Sequence, residues 1–215
     1  MSAAHHIASI VAAYDDIVIR LYAHIRFQIL RQRFLKEIGQ YLPQTGRVLD
    51  IGCGFGLFSL FFALQYPQAQ FLGVDINEKR IACARRAAGK FPLNNVEYKK
   101  SSAETLPDEG MFDAIYMLDI IHHIQPASVA PLITYAKQHL TPNGVLLIKD
   151  IATKPAFKRW FTWWLDKLMD FKTPVYYWPE DKLRQLLAEH GFSIYSHHMV
   201  DYLPYPHILY ICRKS

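Results

Sequence analysis

The sequence predicts an open, mostly parallel α/β sheet with helices on both faces, and three observations carry that expectation. Short apolar runs alternate with helix-length segments from Arg47 to Ile151. A glycine-rich turn, "GCGFG", follows the first apolar run at once. The chain closes with "FSIYSHHMV" and "HILYICRK", two strand-like runs joined by the Pro-rich "DYLPYP". Apolar strands of this kind fit a sheet buried under helices on both sides. The closing pair, with no helix between, fits an antiparallel tail.

Residues 14–41 read as one or two helices, with Val18, Leu21, Tyr22, Ile25 and Ile29 at helical spacing. Arg20, Arg26, Arg31, Arg33 and Lys36 lie among them, and no acid occurs from Ile17 to Lys36. Pro43 and Gly46 end this segment. "RVLDI" is then a strand and "GLFSLFFALQYP" a helix that stops near Pro67. "QFLGVDI" is the second strand, followed by the helix "NEKRIACARRAAGK". "VEYKKSS" and "FDAIYML" are the third and fourth strands, "ASVAPLITYAKQHL" the next helix and "GVLLIKDI" the fifth strand. "PEDKLRQLLAEHG" is a helix with Pro at its start and Gly at its stop.

At 215 residues, half of them apolar and a fifth charged, the chain has the size and composition of one globular domain. A net charge of +5 makes it mildly basic. Three scattered cysteines without C-x-x-C spacing argue against a disulfide framework or a structural zinc site and fit a reducing cytosol. No cleavable signal is legible in "MSAAHHIASIVAAYDD", and no run approaches the ~20 apolar residues that span a bilayer. The expected location is cytoplasmic, with peripheral contact at the inner face of a membrane left open.

In such sheets ligands bind beyond the carboxyl ends of the strands, so the loop after the first strand is the place to look. A dinucleotide fingerprint needs G-x-G-x-x-G, but here the third glycine comes one residue early and Leu57 takes its place. The Gly-Lys-Ser/Thr of a P-loop is absent. Asp50, just before the loop, repels a pyrophosphate and favours an amine or sulfonium cation. Asp75, ending the second strand, is placed to accept hydrogen bonds from two ribose hydroxyls. A ligand with a ribose, a positive charge and no phosphate is S-adenosylmethionine.

"VLDIGCGFG", "GVDINEKRI", "SSAETLP", "FDAIYMLDIIHHI" and "LTPNGVLLIKD" occur in order across residues 45–151. As a set they resemble class I S-adenosylmethionine-dependent methyltransferases, most of all the small-molecule branch of ubiquinone/menaquinone type. The resemblance implies a Rossmann-like seven-stranded sheet ordered 3-2-1-4-5-7-6 with the last strand antiparallel. It implies one domain over residues 1–215: a helical cap (1–44), a cofactor-binding core (45–151), an aromatic insert (152–178) and a closing helix and hairpin (179–215). It carries Asp50, Gly52, Cys53 and Gly54 to the methionine end of the cofactor and Asp75 with Ile76 to the ribose and adenine. Ser102 and Ala103 would line the adenine edge, Met117 and Leu118 would flank the sulfonium, and Tyr14 is the candidate for the cofactor carboxylate. Two positions depart from the pattern: Ser102 stands where an acid is common, and "PNG" replaces "PGG", which Asn tolerates through its access to the left-handed region.

Methyl transfer aligns acceptor, methyl and sulfur, and needs a base only if the acceptor sheds a proton. Candidates over the ends of strands four and five are Asp119, His122, His123 and Asp150. His is the default base near neutral pH, with a carboxylate to orient it. The competing readings are a buried structural pairing for Asp150, backbone bonding for Asp119, and capping or packing for His123. Asp119, His122 and Asp150 mimic a metal site, but no metal is expected. His197 and His198 alternate across a strand and so face different ways.

"KPAFKRWFTWWLDKLMDFKTPVYYW" is the least generic stretch. As a helix from Pro155 it would place Phe157, Trp160, Phe161, Trp164, Leu165 and Leu168 on one face. A lid, an entry surface for an amphiphilic acceptor resting on a membrane, and a dimer interface are all open to it. The sequence therefore points to methylation of a small, hydrophobic or lipid-like acceptor, oxygen favoured over nitrogen. RNA or protein methylation and a non-catalytic binding protein are the alternatives.

Overall fold

The structure is a computed structural model that describes residues 2–102, 105–106, 108–151, 175–199 and 207–215. Ala103, most of the aromatic insert and the "DYLPYP" connection lie outside the described residues. The sheet has seven strands in the order β3-β2-β1-β4-β5-β7-β6, as the resemblance implied. Strands β1 (Thr45–Ile51), β2 (Gln68–Asp75) and β3 (Val96–Lys100) pair in parallel, whereas β7 (His207–Lys214) runs antiparallel to both β5 (Leu140–Ile151) and β6 (Phe192–Met199). Two compact units divide the chain, Met1–Ala114 and Ile115–Ser215.

The first unit opens with three helices, α1 (Ala3–Ala13), α2 (Ile17–Ile29) and α3 (Gln32–Gly39). Asp16 caps α2, its carboxylate accepting from the Val18 N–H at 2.7 Å. The helical stripe marked by Val18, Leu21 and Ile25 is not the face that packs inward. Ala23 and Phe27 are buried instead, with the Phe27 ring edge-on to Phe58 (5.7 Å) and tilted against Phe61 (6.2 Å) on α4 (Leu57–Gln65). The larger aromatic contact decides which of two apolar faces the helix buries.

Helix α4 is apolar almost throughout and is buried from Leu57 to Ala63. Asn95 locks its end to β2: the amide nitrogen donates to the carbonyls of Ala63 (3.1 Å), Tyr66 (3.2 Å) and Ala69 (2.9 Å). Helix α5 (Glu78–Ala88) starts on an Asn77 cap. The ring of Tyr98, on β3, lies so close to β2 that a Cβ at Gly73 would meet it at 2.7 Å.

In the second unit, β4 (Phe112–Leu118, which crosses the division) leads through a 3-10 turn, Ile121–His123, into α6 (Pro126–His139). Pro126 sits at the start of α6, where its missing N–H costs nothing. Leu146, Leu147, Ile148 and Leu209 are fully buried along β5 and β7. Helix α7 (Glu180–Glu189) packs by Leu183 and Leu187. Asn143 departs from expectation: it lies within β5, and Asp119 is the only non-glycine with positive φ among the described residues. No helix among the described residues is long and apolar enough to cross a membrane.

The Asn95 knot has a direct test. In Asn95→Asp the carboxylate faces three carbonyl oxygens with no proton to give, so urea unfolding should show a loss of about 1–3 kcal/mol or more. An unchanged midpoint would mean that these bonds contribute nothing.

Candidate functional site

Three glycines carry the chain from β1 into α4. Gly52, Gly54 and Gly56 have φ of 80°, 57° and 77°, a region that side chains with a Cβ rarely adopt. The N–H groups of Gly52 and Cys53 both donate to the Val74 carbonyl, at 2.8 and 3.0 Å, which folds the loop back over β2. Asp75 completes the turn. One carboxylate oxygen accepts from the Gly54 N–H at 2.9 Å and the other from the Asn77 N–H at 2.8 Å. The single side chain thereby ties the loop's apex to the start of α5, and each oxygen keeps further lone-pair capacity.

The potential here is negative. Asp50 and Asp75 are both buried, and after burial itself they are what push the Cys53 thiol well above its usual range. A cation gains from this field and a pyrophosphate loses. A Cβ on Gly54 would meet nothing within 4 Å, so the apex faces open space. Beside it Ile76 is 68% exposed, an apolar platform next to a buried carboxylate. These features fit the ribose, the flat base and the cationic end of S-adenosylmethionine. Ser102 is partly buried, with its hydroxyl 2.9 Å from that of Thr105.

The loop is braced from two sides. Tyr98 donates its hydroxyl to the Gly56 carbonyl at 3.1 Å. Tyr14, at the end of α1, donates to the Phe55 carbonyl at 2.7 Å. Burial, with a smaller contribution from Cys53, drives the Tyr14 phenol far above its ordinary range, so it stays a donor. That proton goes to the loop, which gives Tyr14 a bracing role in this arrangement. Tyr22 packs edge-on to Phe55 at 5.3 Å.

The second unit holds the remaining candidates. Met117 and Leu118 are buried at the end of β4. The next residue, Asp119, takes φ 58°, pairs with the ammonium of Lys149 and donates its N–H to the Lys149 carbonyl at 2.8 Å. Lys149 is fully buried. Adjacent residues of a strand point to opposite faces, so Asp150 reaches the other way, to His122. One Asp150 oxygen meets His122 Nδ1 and also accepts the Ile151 N–H at 2.8 Å; the other accepts the His122 N–H at 3.1 Å. In the neutral ring this fixes the proton on Nδ1 and makes Nε2 the lone-pair nitrogen. His123 lies 4.1 Å from His122 ring to ring, and Tyr177 stacks on His122 at 6.3 Å. The structure thus joins His122 with Asp150, leaves Asp119 to Lys149, and gives His123 a packing contact.

Sequence reasoning passed over Lys149 and Tyr98. "LLIKDI" puts two charges in an otherwise apolar strand, which was a signal for both partners and not for Asp150 alone. Tyr98 carried no comparable signal. Among the described residues no group of three His, Cys, Asp or Glu side chains has the arrangement to hold a metal ion.

Comparison with known proteins gives the family and the fold. A family model described as a methyltransferase domain matches residues 22–197. The mitochondrial ubiquinone biosynthesis O-methyltransferase of Arabidopsis thaliana is 35% identical over 132 residues, 60% of this chain and 39% of the relative. Ribosomal RNA small subunit methyltransferase C of Pasteurella multocida is 34% identical over 110 residues, 49% of this chain and 33% of the relative. The chain thus spans less than half the length of either. Magnesium protoporphyrin IX methyltransferase of Synechocystis PCC 6803, solved with bound SAH, has the same fold: TM-score 0.67 at 23% identity, covering 85% of this chain and 83% of that one.

Two outcomes test the cradle. Gly54→Ala should lower stability by only about 1–2 kcal/mol, because its Cβ meets open space. If the cofactor fills the open space beside Gly54, the same substitution should weaken S-adenosylhomocysteine binding, measured by calorimetry, by more than roughly tenfold. Separately, iodoacetamide at neutral pH should modify half-exposed Cys83 and spare Cys53 and Cys212, whose thiols burial pushes up, the latter to about 12. Mass spectrometry showing fast Cys53 labelling in the folded protein would contradict the burial that, ahead of the neighbouring carboxylates, raises this thiol.

Proposed function

The chain belongs to the methyltransferase domain family, and from that premise we propose that it methylates a hydroxyl oxygen of a small, hydrophobic or lipid-like acceptor. The observation that carries the oxygen assignment is the His122–Asp150 pair. An alcohol or phenol must lose its proton as it gains a methyl group, and a carboxylate-oriented imidazole is the side-chain arrangement suited to take it. Bound in the cradle, S-adenosylmethionine supplies an electrophilic methyl on a sulfonium. Asp75 would hold the ribose hydroxyls, Ile76 the adenine face, and Asp50 the cationic end, directly or through water.

His122 Nε2 accepts the acceptor's proton while Asp150 stabilises the imidazolium that results. The acceptor oxygen leaves with the methyl group, and His122 returns its proton to solvent before the next turnover. Lys149 and Asp119 act one step removed: their ion pair, with the Lys149 end fully buried, fixes the loop that carries His122. They are positioning residues.

Support for a hydrophobic acceptor comes from the ubiquinone biosynthesis relative and from the Trp- and Lys-rich insert of residues 152–178. The ribosomal RNA relative supports the alternative substrate. Incubation with methyl-labelled cofactor and a whole-cell extract separates them. Label in the lipid fraction on a base-stable ether is the expected result, and label in RNA or protein overturns the assignment.

The base role has its own test. His122→Ala should lower kcat by roughly 10²–10⁴-fold while S-adenosylhomocysteine still binds, and Asp150→Asn should lower it in the same direction. The ring is only 2% exposed, which favours a second, purely structural role for the pair. That role predicts a lower Tm for both variants with kcat per folded molecule unchanged.

A further inference from the structure

The apolar stripe on α2 faces outward. Ile17, Val18 and Leu21 are 73%, 69% and 60% exposed, and Ile25 is half-buried beside them. Positions 17, 21 and 25 succeed one another at i+4, and Val18 stands at i+3 from Leu21 and i+7 from Ile25, so the four form one row. The opposite side of the helix supplies Ala23 and Phe27 to the core. The helix therefore has two apolar faces, and folding uses one. Single exposed apolar side chains are ordinary, but a contiguous row marks an interaction surface.

The charge beside this row is mainly positive: of the two acids that precede it, Asp15 is paired with Lys90 and Asp16 caps α2. Arg20 stands at i+3 from Ile17 and His24 at i+3 from Leu21, both exposed. Exposed Arg31, Arg33 and Lys36 follow on the approach to α3 and along it. The stretch Ile17–Lys36 holds five of the chain's 24 Lys and Arg and none of its 19 acids, so it alone accounts for the net charge of +5. The remainder of the chain is balanced. A second copy of this chain docked here would set these cations against themselves. A surface that is apolar a few ångströms down and negative at its rim meets both features at once.

We infer that α2 docks the protein on an anionic lipid bilayer. Ile17, Val18 and Leu21 enter the boundary between headgroups and acyl chains, while Arg20, Arg31, Arg33 and Lys36 lie among the headgroup phosphates. Each cation near such a surface is worth roughly fivefold in partitioning, and salt weakens the whole set. Docking of this kind requires nothing of the acceptor's identity and holds for any substrate that the enzyme takes.

The test is flotation of the full chain with vesicles of equal parts phosphatidylglycerol and phosphatidylcholine, and with phosphatidylcholine alone. The protein should float with the anionic vesicles, stay behind with the neutral ones, and be released by salt. Ile17→Ser combined with Leu21→Ser should reduce binding at least about tenfold, as should Arg31→Gln, Arg33→Gln and Lys36→Gln together. Retained S-adenosylhomocysteine binding serves as the folding control for both. Equal flotation of the Ile17/Leu21 variant, salt-insensitive binding to neutral vesicles, or no flotation at all would each overturn the inference. So would a dimer in sedimentation that the Ile17/Leu21 substitution dissolves, because the row would then be a protein interface.

Discussion

The carboxylate of Asp75, held between two main-chain N–H groups, is the interaction on which the cradle depends. Hydrogen bonds to a charged acceptor contribute about 1.5–3 kcal/mol each, and here one reaches Gly54 and the other Asn77. They join the loop after β1 to the cap of α5 through a carboxylate 21 residues further along the chain than Gly54. With the apex fixed, three glycines at positive φ become affordable, and the outer side of Gly54 faces open space. Tyr98 and Tyr14 close the loop from the other sides, each through a hydroxyl given to a loop carbonyl. The fold thus makes a braced turn beside two buried carboxylates, a field that disfavours a phosphate and favours a cation.

The second unit relies on strand geometry. Side chains alternate across β5, so Lys149 and Asp150 address opposite faces from adjacent positions. Each holds a different residue of the segment after β4: Lys149 takes Asp119, and Asp150 takes His122. The left-handed backbone of Asp119 sits where that segment leaves the strand, and local strain of this sort persists when surrounding bonds over-determine it. An imidazole so anchored keeps one tautomer and one orientation, the two conditions that a general base requires.

Most of the sheet was legible because its signals are local. Apolar runs and glycine and proline stops each lie within a few residues, whereas the strand order was implied by the family resemblance alone. Asp75 was legible for the same reason, standing at the end of a strand before a capped helix. What escaped depends on contacts distant in sequence. Periodicity marks that α2 is amphipathic but not which of its apolar faces wins, and Phe27 wins only because Phe58 and Phe61 stand opposite. Tyr98 is an ordinary strand residue until its ring is placed beside Gly73 and its hydroxyl at Gly56. Lys149 looked like an interruption in an apolar strand until Asp119 was set beside it.

Proton–nitrogen NMR spectra of the isotopically labelled chain, recorded as S-adenosylhomocysteine is added, test the central claim most directly. The cradle described here requires the amides of Gly52, Gly54, Asp75 and Asn77 to shift first and together, since they form one hydrogen-bonded unit around the ligand. Saturable shifts confined to another part of the molecule, with these four amides unmoved, would contradict it.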